Sequence, residues 1–386
     1  MRKRIICLFF LLSLFWPSIY SNQEKTDIVN IDFTMAEKAV EWLEFIKKGA
    51  DDKSIKDYFV KNVASTKGCQ AIIHHWARFR KWDNEEFYKF IMEALGRIPA
   101  NKKGKNEDSS LSWFERTKML WRQALSHPER IRKDINDLKK FNLKDKAIKI
   151  AKKYLPDDVV LISDFYFVLF GGSPAFSVGK ENGFDVLQLF RTPDGNLYLE
   201  QIIITLAHEL HHSGFYYCLN KHNPILKDDP NIMLLGTLVA EGMPTYFINR
   251  TQKNLEKLRR IDNPLLKMLV KDWNAYLLNL NESFRQAEKD ILLNLEGKLS
   301  VEDIHRKWLN GVQGQAYILG SYMFSVIDKY LGVEQAKKLV YNPLNFIAIY
   351  NKAAKLGNEQ KGGCFVFSQK LVEKLSDYYT SLSNQN

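Results

Sequence analysis

The stretch Leu206-Ala207-His208-Glu209-Leu210-His211-His212-Ser213-Gly214-Phe215 lies near the middle of the chain, and the rest of the sequence is interpreted from it. It belongs to an apolar run from Leu197 to Leu219 that predicts one long, buried helix. At about 100° per residue, His208 and His212 lie roughly 40° apart and one turn along that helix. Glu209 lies about 60° beyond His212. The pattern therefore predicts a helix that presents two imidazoles and a neighbouring carboxylate to one point.

Two imidazoles spaced in this way can bind one metal ion, and His-Glu-x-x-His is the spacing of catalytic zinc sites. A catalytic zinc needs three protein ligands and one open position for water. Glu209 would lie beside the ion, where it can accept a proton from a zinc-bound water. The helix supplies two ligands, His208 and His212, and a base, so the third ligand must come from elsewhere.

Glu241 is the candidate for the third ligand. It comes 29 positions after His212, at the end of an apolar stretch from Ile232 to Ala240 that predicts a second helix packed on the first. A carboxylate in such a stretch is costly unless it is paired or coordinates a metal. We therefore expect His208, His212 and Glu241 to hold zinc.

In these residues the chain resembles the gluzincin type of zinc metallopeptidase, in which His-Glu-x-x-His is followed by a glutamate on a later helix. The stretch around His208 and the pair Glu241-Gly242 also resemble uncharacterised bacterial families of zinc-dependent peptidases. Tyr317-Ile318-Leu319-Gly320-Ser321-Tyr322-Met323 is similar to the Tyr-x-x-Gly-x-x-Met pattern of their C-terminal helices.

This resemblance covers roughly 159 to 350. It implies a zincin-like core, the same three zinc ligands and Glu209 as general base. Glu241 is followed by glycine instead of the Asn-x-x-x-Asp continuation of thermolysin, so a substrate preference does not carry over.

A peptidase also needs a donor for the oxyanion of its tetrahedral intermediate. Tyr317 is the preferred candidate, ahead of Tyr322 and His305, although simple packing is an alternative for each because the chain has 17 tyrosines. Tyr246 either lines the pocket or fills the core.

Three further histidines are weighed against a structural role. His211 either supports the site or is a structural histidine, and the pattern leaves both open. The pair His74-His75 has no acid at metal spacing and is interpreted as structural.

The order of elements predicts a mainly α chain with a small β-sheet, an α+β fold. A helical region is expected over 22–156, starting at a capping box formed by Thr34 and Glu37. A catalytic region over 157–386 is expected to contain the sheet, the central helix and C-terminal helices. The predicted N-terminal helices span residues 55–63, 71–82, 86–95, 111–125 and 131–154.

Short runs rich in Val, Ile and Phe predict three or four strands before the central helix, the last two forming a hairpin. These runs span residues 159–162, 165–170, 175–178 and 184–189. The strand over 184–189 is expected to offer an edge along which an extended peptide could pair, with Gly171-Gly172 turning close to the cleft. A plain hairpin is the alternative.

The composition is that of an ordinary globular protein: 386 residues, 45% hydrophobic, 26% charged, with a mean hydropathy of −0.31. These values exclude disordered, collagenous and polytopic membrane proteins. The net charge of +11 becomes +8 without Arg2, Lys3 and Arg4. The excess is spread along the chain, so we expect no nucleic-acid partner.

The first 21 residues resemble a secretory signal peptide. A basic start precedes the 12-residue apolar run Ile5 to Trp16, then Pro17 and small or polar residues, with cleavage expected near Ser21. An uncleaved anchor is the alternative. We expect a periplasmic or secreted protein with no stable membrane insertion after cleavage.

Signal removal leaves three cysteines, an odd number in an oxidising compartment. Cys218 is interpreted as a buried free thiol, and a bridge between Cys69 and Cys364 is an open option.

Together these features predict an exported zinc metallopeptidase that acts on a peptide or protein substrate. Two alternatives remain: a secreted helical binding protein with a structural or vestigial zinc site, and a zinc hydrolase with a non-peptide substrate. Glu209 separates the first alternative from an enzyme, because a structural site gains nothing from a glutamate that is not a ligand. The oligomeric state is open.

Overall fold

The computed structural model describes residues 26–80, 82–99, 113–192, 194–224, 229–260, 264–309, 313–360 and 362–384. The signal peptide expected over residues 1–21 lies outside these ranges, as does the stretch 101–108, whose polar residues predict an exposed loop. Within them, seventeen α-helices surround one four-stranded sheet. The prediction of a mainly helical α+β fold is confirmed.

Seven α-helices precede the second strand in the described part of the chain. Trp42, Leu43 and five neighbours at helical spacing make one face of the first helix apolar and buried. The helices are α1 (Thr34–Lys47), α2 (Asp52–Tyr58), α3 (Lys67–Arg80), α4 (Asn84–Leu95), α5 (Trp113–Ser126), α6 (Pro128–Lys139) and α7 (Leu143–Lys152).

The expected capping box at the start of α1 is wrong. The Oδ1 of Asp32 accepts a hydrogen bond from the backbone N–H of Thr34 at 2.6 Å, and the residue before the helix, Phe33, offers no side-chain cap. Asp32 ends a strand directly before the helix. Its carboxylate accepts from the N–H of Thr34, which is the group that the side chain of Glu37 would bind in a capping box.

The sheet has the strand order β1 (Ile28–Asp32), β2 (Ile162–Val168), β4 (Glu181–Asp185) and β3 (Ala175–Val178). Strand β1 pairs in parallel with β2, and β2 with β4, whereas β3 and β4 form the expected antiparallel hairpin. The run over 159–162 forms no separate strand, and β1 has no counterpart in the sequence prediction. The N-terminal region therefore supplies one strand to the sheet beside the central helix.

Helices dominate again after the sheet. The central helix and its successors are α8 (Leu199–His222), α9 (Pro230–Pro244), α10 (Thr251–Arg259), α11 (Pro264–Leu278), α12 (Leu280–Leu295), α13 (Val301–Trp308), α14 (Gln315–Leu331), α15 (Val333–Lys338), α16 (Phe346–Gln360) and α17 (Gln369–Ser383). A π-helical turn, Thr245–Asn249, joins α9 to α10.

Helices α9 and α14 cross in direct backbone contact at two glycines. A Cβ added to Gly242 would lie 2.4 Å from the Cα of Gly320, and one added to Gly320 would lie 2.4 Å from the carbonyl oxygen of Leu238. No other residue type fits at either position without moving a helix. The crossing explains the glycine after Glu241 and the glycine three residues after Tyr317.

One continuous apolar core joins the N-terminal helices, the sheet and the C-terminal helices, with Trp42, Phe167 and Phe324 among its fully buried members. A second, smaller core lies between α10, α11 and the start of α14, around Trp273 and Ile318. Because the central helix lies in the first core, its polar residues are held by packing on all sides.

The three cysteines in the described residues are free thiols, so no bridge joins Cys69 to Cys364. Burial raises the pKa of Cys69 and Cys218 to about 12, which keeps both thiols protonated. Among the helices that the structure describes, none combines the length and the apolar character needed to cross a membrane.

Candidate metal centre

The middle of helix α8 is buried on every side, and this burial positions the polar residues of the motif. His208, Glu209 and His212 are each less than a tenth exposed. The two imidazole rings lie with their centroids 4.7 Å apart and nearly perpendicular. The helix thus presents both rings to one point, as the sequence spacing predicts.

Helix α9 brings a carboxylate to that point. The Oε2 of Glu241 lies 3.3 Å from the Nε2 of His208 and 3.5 Å from the Nε2 of His212. Among the described residues, this trio is the group whose ligand atoms all lie within 4.8 Å of one another. The side chain of Glu241 is 18% exposed and those of the two histidines are 8% exposed, so Glu241 is the member of the trio most open to solvent.

These distances fit a zinc ion. Bonds of about 2.0–2.1 Å in a tetrahedral site place neighbouring ligand atoms about 3.3–3.4 Å apart. The two distances from Glu241 match that spacing, and two nitrogens with one carboxylate oxygen are ligands that zinc prefers. The residues therefore fit a zinc ion held by His208, His212 and Glu241.

The electrostatics keep Glu241 ionised. Burial opposes its charge, but the nearby His212 and His208 outweigh burial through charge and hydrogen bonds and hold its pKa well below the usual range. Glu209 has the opposite environment. Burial, strengthened by the charge of Glu241 and only partly offset by His208, raises the pKa of Glu209 to about 7. Two carboxylates on adjacent helices thus differ in proton affinity, one suited to a ligand and the other to a base.

Asn249 holds the ring of His208 from behind. Its Oδ1 lies 3.3 Å from the Nδ1 of His208. Because an amide oxygen only accepts, the Nδ1 of His208 is the donor in this contact, and the Nε2 is the ring nitrogen that faces Glu241. Sequence reasoning missed Asn249, since it follows Glu241 by eight positions and reaches the site only through the π-helical turn Thr245–Asn249.

Tyr317 lies at the centre, whereas the two other oxyanion candidates do not. Burial, the charges of Glu241 and Glu209 and a hydrogen bond donated to Glu241 raise the pKa of Tyr317 well above its ordinary value. Tyr322 instead contacts Cys364. The Nε2 of His305 lies 3.1 Å from the hydroxyl of Thr237. Tyr317 is thus the one of the three that lies beside Glu209 and Glu241.

The remaining histidines have structural partners. His211 is fully buried, and its Nε2 lies 3.3 Å from the carbonyl oxygen of Tyr154, which ties α8 to the end of α7. Burial, aided by the charges of His212 and His208, lowers the pKa of His211 to about 3, so the ring is neutral. His74 pairs with Glu181 at 3.0 Å, and His75 stacks on Phe176.

Tyr246 does not face the metal centre. Its hydroxyl donates to Asp328 at 3.0 Å, one turn beyond the glycine crossing of α9 and α14.

The expected edge strand over 184–189 is wrong. Strand β4 ends at Asp185, a short 3-10 turn follows, and β4 lies between β2 and β3. Asp185 explains the ending. Its buried carboxylate accepts backbone hydrogen bonds from Phe170 at 3.0 Å and Gly171 at 2.6 Å, which fixes the glycine turn. The edge on this side of the sheet is β3.

Two imidazoles and a carboxylate that lie within 4.8 Å of one another, with a second buried carboxylate beside them, form a group that could hold a metal ion in a mainly helical fold. The chain belongs to the family described as "Putative zinc dependent peptidase (DUF5700)", whose sequence model matches residues 60–359. No curated protein and no solved structure matches the chain. The family match begins inside the N-terminal helical region and includes the whole metal centre.

Proposed function

We propose that this protein is an exported, zinc-dependent peptidase of the gluzincin type, in which His208, His212 and Glu241 hold the metal. The observation that carries the proposal is the approach of one Glu241 oxygen to both imidazoles, at 3.3 and 3.5 Å. Zinc, when bound there, acidifies a water molecule and polarises the substrate carbonyl.

Glu209 is the general base in this proposal. Its carboxylate takes a proton from the attacking water and later delivers it to the nitrogen of the departing amine. A pKa raised by burial to about 7 suits both steps, because such a group is a stronger base than an exposed glutamate and still exchanges its proton near neutral pH.

Tyr317 is the donor that we assign to the oxyanion of the substrate. Its side chain is partly buried, and burial together with the charges of Glu241 and Glu209 holds its pKa well above the ordinary value. The phenol therefore keeps its proton and would turn it from Glu241 to the substrate. A retained proton is what a hydrogen-bond donor needs. Asn249 acts as a positioning residue through its contact with His208.

The decisive experiment compares the wild type with Glu209→Gln in zinc content and in hydrolysis of casein and a peptide library. We expect one zinc per chain in both proteins and a loss of hydrolysis of about 10²- to 10⁴-fold in the variant. His208→Ala and Glu241→Ala serve as controls that should lose zinc. Wild-type hydrolysis by Glu209→Gln would refute the role of the base.

The same assay addresses the two alternatives. A zinc-loaded wild type that cleaves no peptide, ester or non-peptide amide would indicate a structural site. Cleavage confined to esters or non-peptide amides would indicate a hydrolase of another substrate class.

Export rests on the basic and apolar pattern of residues 1–21. We expect N-terminal sequencing of the mature protein to start near Ser21. A mature chain that starts at Met1 would remove export from the proposal and leave the metal chemistry untouched.

A further inference from the structure

The excess positive charge of the chain is concentrated in helices α6 and α7, against the even spread expected from the sequence. Residues 128–153 contain ten lysines and arginines and four acidic residues, which gives 10 − 4 = +6. The whole chain without its first three cations carries 11 − 3 = +8. Most of the excess therefore lies in one short segment, where it creates a field that attracts anions.

Helix α7 presents three lysines of this segment on one side. Its buried residues, which face the core, are Leu143, Ala147 and Ala151. At about 100° per residue, Lys146, Lys149 and Lys153 fall within about 60° of one another on the side turned away from the core. All three side chains are exposed. We call Lys146, Lys149 and Lys153 the lysine stripe.

The lysine stripe differs from its surroundings because its charges are not compensated. Half of the ten cations in this segment form ion pairs: Lys133 and Lys140 with Asp137, Lys139 with Glu37, Arg132 with Glu44, and Lys152 with Asp27. In the described part of the chain, no acid lies within 4.0 Å of the three ammonium groups of the stripe. Lys153 lies over the ring of Tyr154, 5.3 Å from its centroid, and keeps its full charge there.

Two exposed apolar side chains lie at the two ends of α7. Phe141, in the turn before the helix, is 43% exposed and directly follows two lysines. Ile28 is 56% exposed and directly follows Asp27, the partner of Lys152 in the last turn of α7. Single exposed apolar residues are common. Their combination with a row of lysines is typical of surfaces that bind to lipid bilayers.

We propose that the lysine stripe, with Phe141 at its end, binds the surface of an anionic phospholipid bilayer. The three ammonium groups lie against the headgroup phosphates, and the ring of Phe141 enters the boundary between the headgroups and the acyl chains. The charges favour a bilayer over nucleic acid, because the stripe contains only lysines and lacks the arginine forks that recognise nucleic acids. The attachment is peripheral, since the surface of a folded helix makes it.

The test is cosedimentation of the mature, zinc-loaded protein, without residues 1–21, with vesicles of phosphatidylcholine alone or with about one third phosphatidylglycerol. The wild type should bind the anionic vesicles about tenfold more tightly or better. About 1 M salt should remove this binding, because it shortens the screening length to about 3 Å. The outcome does not depend on the peptidase chemistry proposed above.

Two variants measure the two parts of the surface. The triple variant Lys146→Gln, Lys149→Gln and Lys153→Gln should bind anionic vesicles about 30- to 100-fold more weakly, since each lysine near such a surface contributes about fivefold. Phe141→Ser should weaken binding about three- to tenfold through lost apolar contact. Circular dichroism and zinc content show that each variant is folded.

Matched controls change the same residue types on other surfaces. Lys352→Gln, Lys355→Gln and Lys370→Gln together remove three exposed lysines from α16 and α17. Leu278→Ser removes an apolar side chain that is 85% exposed on α11. Both controls should bind anionic vesicles nearly as the wild type does.

Equal wild-type binding to neutral and anionic vesicles would overturn the proposal, and so would equal losses in the two triple variants. Unchanged affinity in Phe141→Ser would leave only a charge attraction that any polyanion satisfies, and would overturn the bilayer as the partner. Displacement from the vesicles by a short DNA duplex at equal phosphate concentration would assign the surface to nucleic acid and likewise overturn it.

Discussion

At the level of single residues, the candidate metal centre depends on groups that the His-Glu-x-x-His pattern itself does not contain. Asn249 orients His208, and Tyr317 donates to Glu241, so each of these two candidate ligands has a partner that limits its rotation. His211, one position before a ligand, instead anchors the helix to Tyr154. Neighbouring histidines of the motif therefore have different roles, and the atom that each ring contacts distinguishes these roles.

Asn249→Ala should weaken zinc binding by about 10- to 100-fold, because the imidazole of His208 loses the acceptor that fixes its tautomer. Asn249→Asp keeps an acceptor at the same place and should restore affinity to the wild-type level or above. Competition against a chromogenic chelator measures both constants. Equal zinc affinity in the wild type and in Asn249→Ala would show that the contact does not matter.

His211 should make folding sensitive to acid. Its folded pKa of about 3 lies below the ordinary value of 6.5, so the unfolded chain binds the proton first. The contribution of neutral His211 is fully present above about pH 6.5 and is lost as the pH falls from there towards 3.

Urea unfolding of the wild type and of His211→Gln at several pH values tests this expectation. Both proteins keep the same metal ligands, so the difference in unfolding free energy isolates His211. That difference should shrink as the pH falls below about 6.5. A difference independent of pH would mean that His211 titrates alike in the folded and unfolded chains.

At the level of helices, the centre depends on how closely α9 approaches α14. Glu241 and Tyr317 flank the crossing of Gly242 with Gly320, so the backbone contact there sets the distance between ligand and phenol. The π-helical turn after α9 then carries Asn249 back to His208. The glycine crossing and the π-helical turn both act through backbone geometry. A metal site needs its ligands held in fixed positions, and backbone contacts provide this.

Gly320→Ala should destabilise the protein by about 1–3 kcal/mol or more, because its Cβ would lie 2.4 Å from a backbone oxygen and must push the helices apart. Zinc affinity should fall with it. Gly236→Ala is the control on α9, where a Cβ would meet only a ring atom of Phe215 at 3.6 Å. It should be neutral or stabilising by up to about 1 kcal/mol. Chemical denaturation measures the unfolding free energy of both variants. Equal unfolding free energies for Gly320→Ala and the wild type would contradict the close backbone contact of α9 with α14.

At the level of the whole molecule, the N-terminal region is part of the scaffold of the metal centre. It supplies β1 to the sheet, and α7 packs along α8 through the bond between His211 and Tyr154. The family match likewise starts at residue 60. The boundary expected near residue 156 therefore separates two sequence patterns that share one core.

A fragment of residues 157–386 should not fold on its own, because β2 would lose its partner strand β1 and α8 would lose the cover of α7. Circular dichroism and zinc binding of this fragment test the expectation against the full-length protein. A soluble fragment that unfolds cooperatively and binds one zinc would show that the C-terminal region is an independent domain.

Local sequence patterns were sufficient to predict the mainly helical α+β class, the hairpin, the central helix and three residues of the motif. A helix places residues i and i+4 together whatever surrounds it, so His208 and His212 could be paired from their spacing. The cost of a lone buried carboxylate was enough to nominate Glu241.

The packed chain was needed for the strand β1, the contact of Asn249 with His208 and the structural role of His211. These features join residues on different elements, often many positions apart, such as His211 with Tyr154. Local periodicity constrains one element at a time, whereas these contacts depend on crossing distances and turns such as the glycine contact and the π-helical turn. Such geometry exists only when the elements are packed against one another.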